Sequence, residues 1–257
     1  MKLLEALREE ASAMAGDSTI RDVRIGLGYT AVQLDTGSLG LAYTFGDSVA
    51  KGCSVFQGKR PLASAYVREV VSYVCSPDVL ERSVGLAAAN ALFNTDETAG
   101  ACAGWSCHGG DLLDVLELGS GERVGMVGYF GPLVPVLRRR AGELIIFEEH
   151  MDRAGGLMPA EQAPELLPTC SVAIITATSI INGSFERLAS AARSCRAVAV
   201  LGPSTPLVPR VLCDYGVTHL SGVISDNPRE ILRVVSEAGG TRFFMKWSKK
   251  INLVINQ

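Results

Sequence analysis

Apolar residues in the second half of the chain come in short unbroken runs. They occupy residues 124–130, 144–150, 172–180, 197–201 and 220–224, and most are β-branched. Runs of this length, without polar alternation, mark strands buried on both faces, as in a parallel sheet. Most of the intervening segments can form helices. Right-handed crossovers then predict a doubly wound, Rossmann-like sheet. Two helix-start signals agree. Thr205-Pro206 places a capping hydroxyl before a first-turn proline, and Asn227-Pro228-Arg229-Glu230 adds a glutamate that can close a capping box.

The first half follows a different pattern. Residues 1–16 carry Glu5, Glu9 and Glu10 among apolar positions, which predicts an amphipathic helix. Residues 23–34 and 39–45 read as two strands joined by the turn Asp35-Thr36-Gly37-Ser38. Residues 46–62 read as a loop. Residues 63–75 and 77–93 have helical periodicity, with Pro77 expected in a first helical turn. This order predicts a small α+β unit. Residues 94–110 are rich in Gly and Ala and read as a link, so the expected division is 1–110 and 111–257.

Composition narrows the function classes. The formal net charge is −3 and neither half carries a basic run, which argues against nucleic acid or an anionic membrane surface as partner. No apolar run approaches the ~18 residues needed to span a bilayer. Seven scattered cysteines, an odd number, do not form a disulfide framework and fit a reducing cytoplasm. Nothing in the pattern speaks against a homo-oligomer.

Ligands of open parallel sheets bind at the carboxyl ends of the strands, and that rule selects the candidate site. Gly128, Tyr129 and Phe130 follow the first strand, but Gly125, Gly128 and Gly131 have the wrong spacing for G-x-G-x-x-G, and Pro132 removes an amide. Glu148 and Glu149 end the second strand, where Rossmann proteins place a ribose-binding acid; adjacent residues point to opposite faces, so only one can face a cleft. Thr176, Thr178, Ser179 and Asn182 make the third strand end unusually rich in hydroxyls, beyond the one polar group that capping requires. Gly202, Pro203 and Ser204 end the fourth strand, with Thr205 left to cap. Ser221-Gly222 and Ser225-Asp226 mark the fifth, and capping accounts for the latter pair. A zinc half-site at Cys102, Cys107 and His108 lacks a second half. The chain has no G-x-S-x-G, H-E-x-x-H or P-loop motif.

Three motifs, in order, carry a resemblance. They are Val127-Gly128-Tyr129-Phe130-Gly131-Pro132-Leu133-Val134, Ile175-Thr176-Ala177-Thr178-Ser179-Ile180-Ile181-Asn182-Gly183-Ser184 and Leu201-Gly202-Pro203-Ser204-Thr205-Pro206-Leu207. Together with Ile25-Gly26-Leu27-Gly28-Tyr29-Thr30-Ala31-Val32 they resemble the family known as putative heavy-metal chelation. The resemblance implies an enolase N-terminal-like domain followed by a Rossmann-like one, with a site in the cleft between them. Ala177 departs from it, since the family is expected to carry Gly there.

Three functions compete on these grounds. The first is binding or processing of a metal, or of a metal-chelating small molecule, in the interdomain cleft. Carboxylates and hydroxyls with few histidines favour a hard or already chelated metal. The second is an enzyme acting on a nucleotide-like or adenosyl-containing molecule through Glu148 or Glu149. The third is a non-catalytic interaction protein.

Overall fold

A computed structural model of the chain describes residues 2–46, 55–100, 104–153 and 155–256. Cys53 and Cys102 lie outside these residues. The described residues form two sheets. The small one is antiparallel, in the order β1 (Ile20–Ile25), β2 (Tyr29–Leu34), β3 (Leu39–Tyr43). The stretch 23–34, expected as one strand, is therefore two. Gly26-Leu27-Gly28 forms a hairpin tip in which Gly26 N donates to Tyr29 O at 2.9 Å. A side chain at Gly26 would come within 2.3 Å of the Val235 carbonyl, which explains the glycine. The second turn lies where expected, with Gly37 at φ +96°.

The large sheet has eight strands. They are β4 (Trp105–Gly109), β5 (Arg123–Val127), β6 (Glu143–Glu148), β7 (Met158–Pro159), β8 (Val172–Thr176), β9 (Ala197–Leu201), β10 (His219–Ser225) and β11 (Ser248–Ile255). Their spatial order is β4-β11-β10-β9-β8-β5-β6-β7. The six from β10 to β7 pair in parallel, and β11 and β4 add antiparallel pairs at one edge. All five strands expected from apolar runs are present. The segment read as a link, 94–110, instead carries a helix (α4, below) and the edge strand β4.

The helices cover both faces. In the first half they are α1 (Lys2–Ala15), α2 (Val67–Val71), α3 (Val79–Phe93) and α4 (Asp96–Gly100); α5 (Leu112–Val115), α6 (Val134–Arg140) and α7 (Ala163–Leu166) follow. Then come α8 (Thr178–Asn182), α9 (Phe185–Ala191), α10 (Pro209–Leu212), α11 (Pro228–Ser236) and α12 (Thr241–Phe244). Successive strand residues serve opposite cores, as buried parallel strands must. Val172 and Ile174 pack with Leu112, Leu116, Val134 and Leu137 on one face, while Ala173 and Ile175 join the main core on the other. No described helix is long and apolar enough to cross a membrane.

The main core crosses from one half of the chain to the other. It runs from Leu3 and Leu7 through Phe93 to Ile175, Phe185 and Leu253. Helix α3 is its axis, buried from Arg82 to Phe93. Its start differs from expectation. Asp78, not Pro77, is the boundary residue, and its side chain accepts from Glu81 N at 2.9 Å. Two glycines let α3 approach closely. A Cβ on Gly40 of β3 would lie 2.1 Å from Ala87 O, and one on Gly85 would lie 2.1 Å from Val74 N.

Polar groups complete the joint. Asn94 Nδ2 donates to Thr205 O at 2.9 Å and Val223 O at 3.3 Å, and Leu207 N donates to Asn94 Oδ1 at 2.9 Å. Thr205 consequently does not cap a helix as expected. It is fully buried, its segment is held in non-helical form by Asn94, and α10 begins at Pro209. Asn227 does cap α11, accepting from Glu230 N at 3.3 Å.

Candidate functional site

Strand order reverses between β5 and β8, because β6 and β7 lie to one side of β5 while β8 to β10 build out on the other. At such a switch point the loops leaving two adjacent parallel strands turn to opposite faces and open a crevice. Here the two strand ends lead into Gly128 and Thr176. Gly128 has φ +90°, and a Cβ on it would stand 3.0 Å from Thr176 Cβ. Glycine is needed for both the backbone angle and the approach.

The β8 end supplies the polar wall. Thr176 Oγ1 and Thr178 Oγ1 share a hydrogen bond of 2.9 Å, and buried Ser179 donates from Oγ to Thr176 O at 2.6 Å. Asn182 Oδ1 accepts from Ser184 N at 3.1 Å and Ser184 Oγ at 2.7 Å, while its Nδ2 reaches Glu149 Oε1 at 3.4 Å. Gly183, in the left-handed region at φ +80°, ends α8. Ala177 occupies ordinary helical space at φ −64°, and its methyl is buried in the main core. An alanine in the expected glycine position therefore does not strain the turn, and its methyl packs into the core.

The two glutamates take different roles, as strand geometry requires. Glu148 is buried, and its carboxylate accepts from Tyr129 N (2.9 Å), Glu149 N (2.9 Å) and His150 N (3.3 Å). It anchors the loop after β5 to the loop after β6. Glu149 is exposed and meets Asn182. Gly128, Glu149, Thr176, Thr178 and Asn182 thus converge on the switch point. Tyr129 and Phe130 instead pack against the core beneath α6.

The β9 end faces the first half of the chain. Gly202 N donates to Ser221 O at 3.0 Å, Pro203 is half-buried, and Ser204 is buried. Ser204 Oγ accepts from Tyr43 N at 2.8 Å, and Asn90 Nδ2 donates to both Leu41 O and Ser204 O, at 2.8 and 3.0 Å. Ser204 therefore joins the two sheets. The polar residues of α3 that make this joint were not anticipated. Their signal was a helix otherwise built from apolar and small residues.

Two open grooves lie away from these strand ends. One, of about 440 Å³, is bordered by Arg24, Gln33, Arg229 and Arg233; the other, of about 600 Å³, by Leu34, Leu92, Trp105 and Leu207. Among the described residues no three His, Cys, Asp or Glu side chains gather as metal ligands. Cys107 and His108 are exposed neighbours on β4, and His108 Nε2 meets Ser106 Oγ at 2.8 Å.

Known proteins agree with this architecture. A curated protein of Methanocaldococcus jannaschii, named only as uncharacterized, is 23% identical over 199 residues, which cover 74% of this chain and 72% of the relative. A crystal structure from Pyrococcus horikoshii superimposes with a TM-score of 0.86 at 23% identity, covering 98% of this chain and 100% of that one. One from Desulfitobacterium hafniense gives 0.83 at 24%, covering 99% and 98%. Both are titled as DUF364 family proteins of unknown function, and likeness at this identity speaks for the fold. Residues 8–93 match one family described as "Putative heavy-metal chelation", and residues 111–254 match another with the same description, DUF364. With more than half of the chain matched by the latter, the protein belongs to the DUF364 putative heavy-metal chelation family.

Proposed function

We propose that the protein binds a small polar molecule, a metal chelator or its metal complex, in the crevice between the β5 and β8 loops, where the large sheet faces the N-terminal unit. The observation that carries this reading is the convergence of Glu149, Thr176, Thr178 and Asn182 on the strand-order reversal. Hydroxyl, amide and carboxylate groups suit the oxygen-rich periphery of a chelate. They do not by themselves make a ligand set for a bare soft cation. The family description supports a metal in the cargo, and the donor chemistry supports a metal that arrives already wrapped in an organic ligand.

The nucleotide-like alternative leaned on a glutamate at the ribose position. It rests on Glu148 or Glu149; three backbone amides already occupy the Glu148 carboxylate, which leaves exposed Glu149 alone to carry it. Native mass spectrometry of protein purified from its own host tests the proposal. The expected result is a retained organic species, with or without a metal, that is lost in T178V/N182A. An empty protein, with no calorimetric response to ferric citrate or a tetrapyrrole, would overturn it.

A further inference from the structure

Arg82 stands at the start of α3 and is only 8% exposed. Its side chain makes no hydrogen bond or ion pair with any described residue, and Nε is buried without a partner. Other arginines of the chain do find carboxylates: Arg24 pairs with Asp22, Arg123 with Glu143, Arg196 with Glu122 and Arg233 with Glu237. Asp78, one turn back, is turned to its capping bond with Glu81 N, and the Glu81 carboxylate accepts from Ser76 Oγ. Burial pushes the guanidinium below its ordinary value, and Asp78 offsets this only in part. An arginine still keeps its proton at any ordinary pH. Nε is shut off from water while the Nη groups keep some solvent contact, so the head group is a largely buried charge that no described side chain pairs, a costly arrangement for a fold to keep.

The position of the head group suggests why it is kept. A Cβ on Gly183 would lie 3.3 Å from Arg82 Nη1. Gly183 closes α8, directly after Asn182, whose amide meets Glu149. The guanidinium therefore sits on the seam between α3 and the C-terminal end of α8, the helix that leaves the hydroxyl-rich strand end. It brings a positive charge from the first half of the chain to polar groups of the second.

We propose that Arg82 receives an oxyanion, a carboxylate or phosphate group of the bound molecule, at this seam. The planar fork of a guanidinium matches either group through two parallel N–H···O bonds. This inference rests on the crevice reading, which places a small molecule beside Asn182, and it adds the charge that the molecule must carry.

The test compares wild type, R82M, R82K and N182A in thermal unfolding and calorimetry, with citrate and inorganic phosphate as probes and NaCl at matched ionic strength as control. For wild type we expect a saturable rise in melting temperature with one of the two anions, and its identity tells carboxylate from phosphate. R82M should bind that anion at least tenfold more weakly. R82K, which keeps the charge without the fork, should fall between. Without anion, R82M should melt no lower than wild type, since it loses an unpartnered charge and keeps an apolar stem. No anion-specific rise in wild type, or equal rises in wild type, R82M and R82K, would overturn the inference. So would an R82M that melts far below wild type when no anion is present, because Arg82 would then be structural. An R82M that fails to fold counts as that same outcome, and the R82K comparison applies where R82M folds. A response lost in N182A but kept in R82M and R82K would remove Arg82 and leave the crevice standing. One lost in R82M but kept in N182A would do the reverse.

Discussion

Replacing Asn94 by alanine probes whether the two sheets form one cooperative unit. Asn94 is 3% exposed and stands at the C-terminal boundary of α3. Its side chain satisfies Leu207 N–H and the Thr205 carbonyl, with a longer bond to Val223 O. N94A leaves the first two groups buried and unpaired. Each orphaned group costs about 1–3 kcal/mol, and the small cavity adds about 1 kcal/mol. The expected loss is about 3–7 kcal/mol, a large share of the 5–15 kcal/mol that holds a typical domain. For a chain of this size that corresponds to a melting temperature lower by about 10 °C. Urea unfolding followed by tryptophan fluorescence and far-UV circular dichroism should show coincident transitions, shifted to lower denaturant with little change in slope. N94D is a control of opposite logic. It keeps the acceptor for Leu207 N but turns a carboxylate oxygen toward the Thr205 carbonyl, so it should be at least as harmful at neutral pH. A loss below about 1 kcal/mol for N94A, or two separated transitions, would refute the single-unit argument.

Further predictions follow from single contacts. G40A should be among the most damaging small substitutions, costing about 3 kcal/mol or more, because its methyl would collide with the backbone of α3 at Ala87 and Ala91; soluble yield and the urea midpoint report it. Burial pushes the Tyr29 phenol up to about 12, against the Thr241 hydroxyl bond that lowers it. The unfolded phenol ionises near 10, so its contribution to stability is present below that value and lost as pH rises toward 12; Y29F should flatten the alkaline limb of a stability–pH curve. Burial likewise pushes the Cys195 thiol up to about 11. Cys195 should stay unalkylated by iodoacetamide at pH 8 in the native protein while exposed Cys213 labels first, as peptide mass spectrometry would show.

The legible parts of the sequence were those whose partners do not alter the signal. The runs at 124–130, 144–150, 172–180, 197–201 and 220–224 became strands because a residue buried on either face must be apolar whatever covers it. Asn227-Pro228 capped its helix because a cap is a local bond. Thr205-Pro206 carried a similar local signal, yet Asn94, more than a hundred residues away, bonds the flanking backbone and removes the need for a helix there. Strand β4, Trp105–Gly109, has four partly or fully exposed residues and no apolar rhythm; only its register with β11 makes it a strand. The strand-end rule selected Glu149, Thr176, Thr178 and Asn182, among other residues, from sequence alone. It could not show that Glu148 would also hold Tyr129 N or that Ser204 would hold Tyr43 N, since those amides come from distant parts of the chain.

The polar side chains along α3 explain why the crevice and Arg82 belong to one argument. Ser83 donates to Tyr43 O at 2.8 Å, Asn90 bridges Leu41 and Ser204, and Asn94 holds the segment from Thr205 to Leu207. Each ties α3 to backbone, not to another side chain, so each fixes the position of a strand or loop relative to the helix. With Gly40 and Gly85 bringing α3 into backbone contact on two sides, the helix has little freedom to move against the β9 end. A charge carried by such a helix is held at a set place before any ligand arrives, and preorganisation of this kind spares the ordering cost that would otherwise weaken binding. On that helix Ser83, Asn90 and Asn94 contact protein backbone. The Arg82 side chain makes no such bond, and it lies where the helix meets the end of α8 at Gly183.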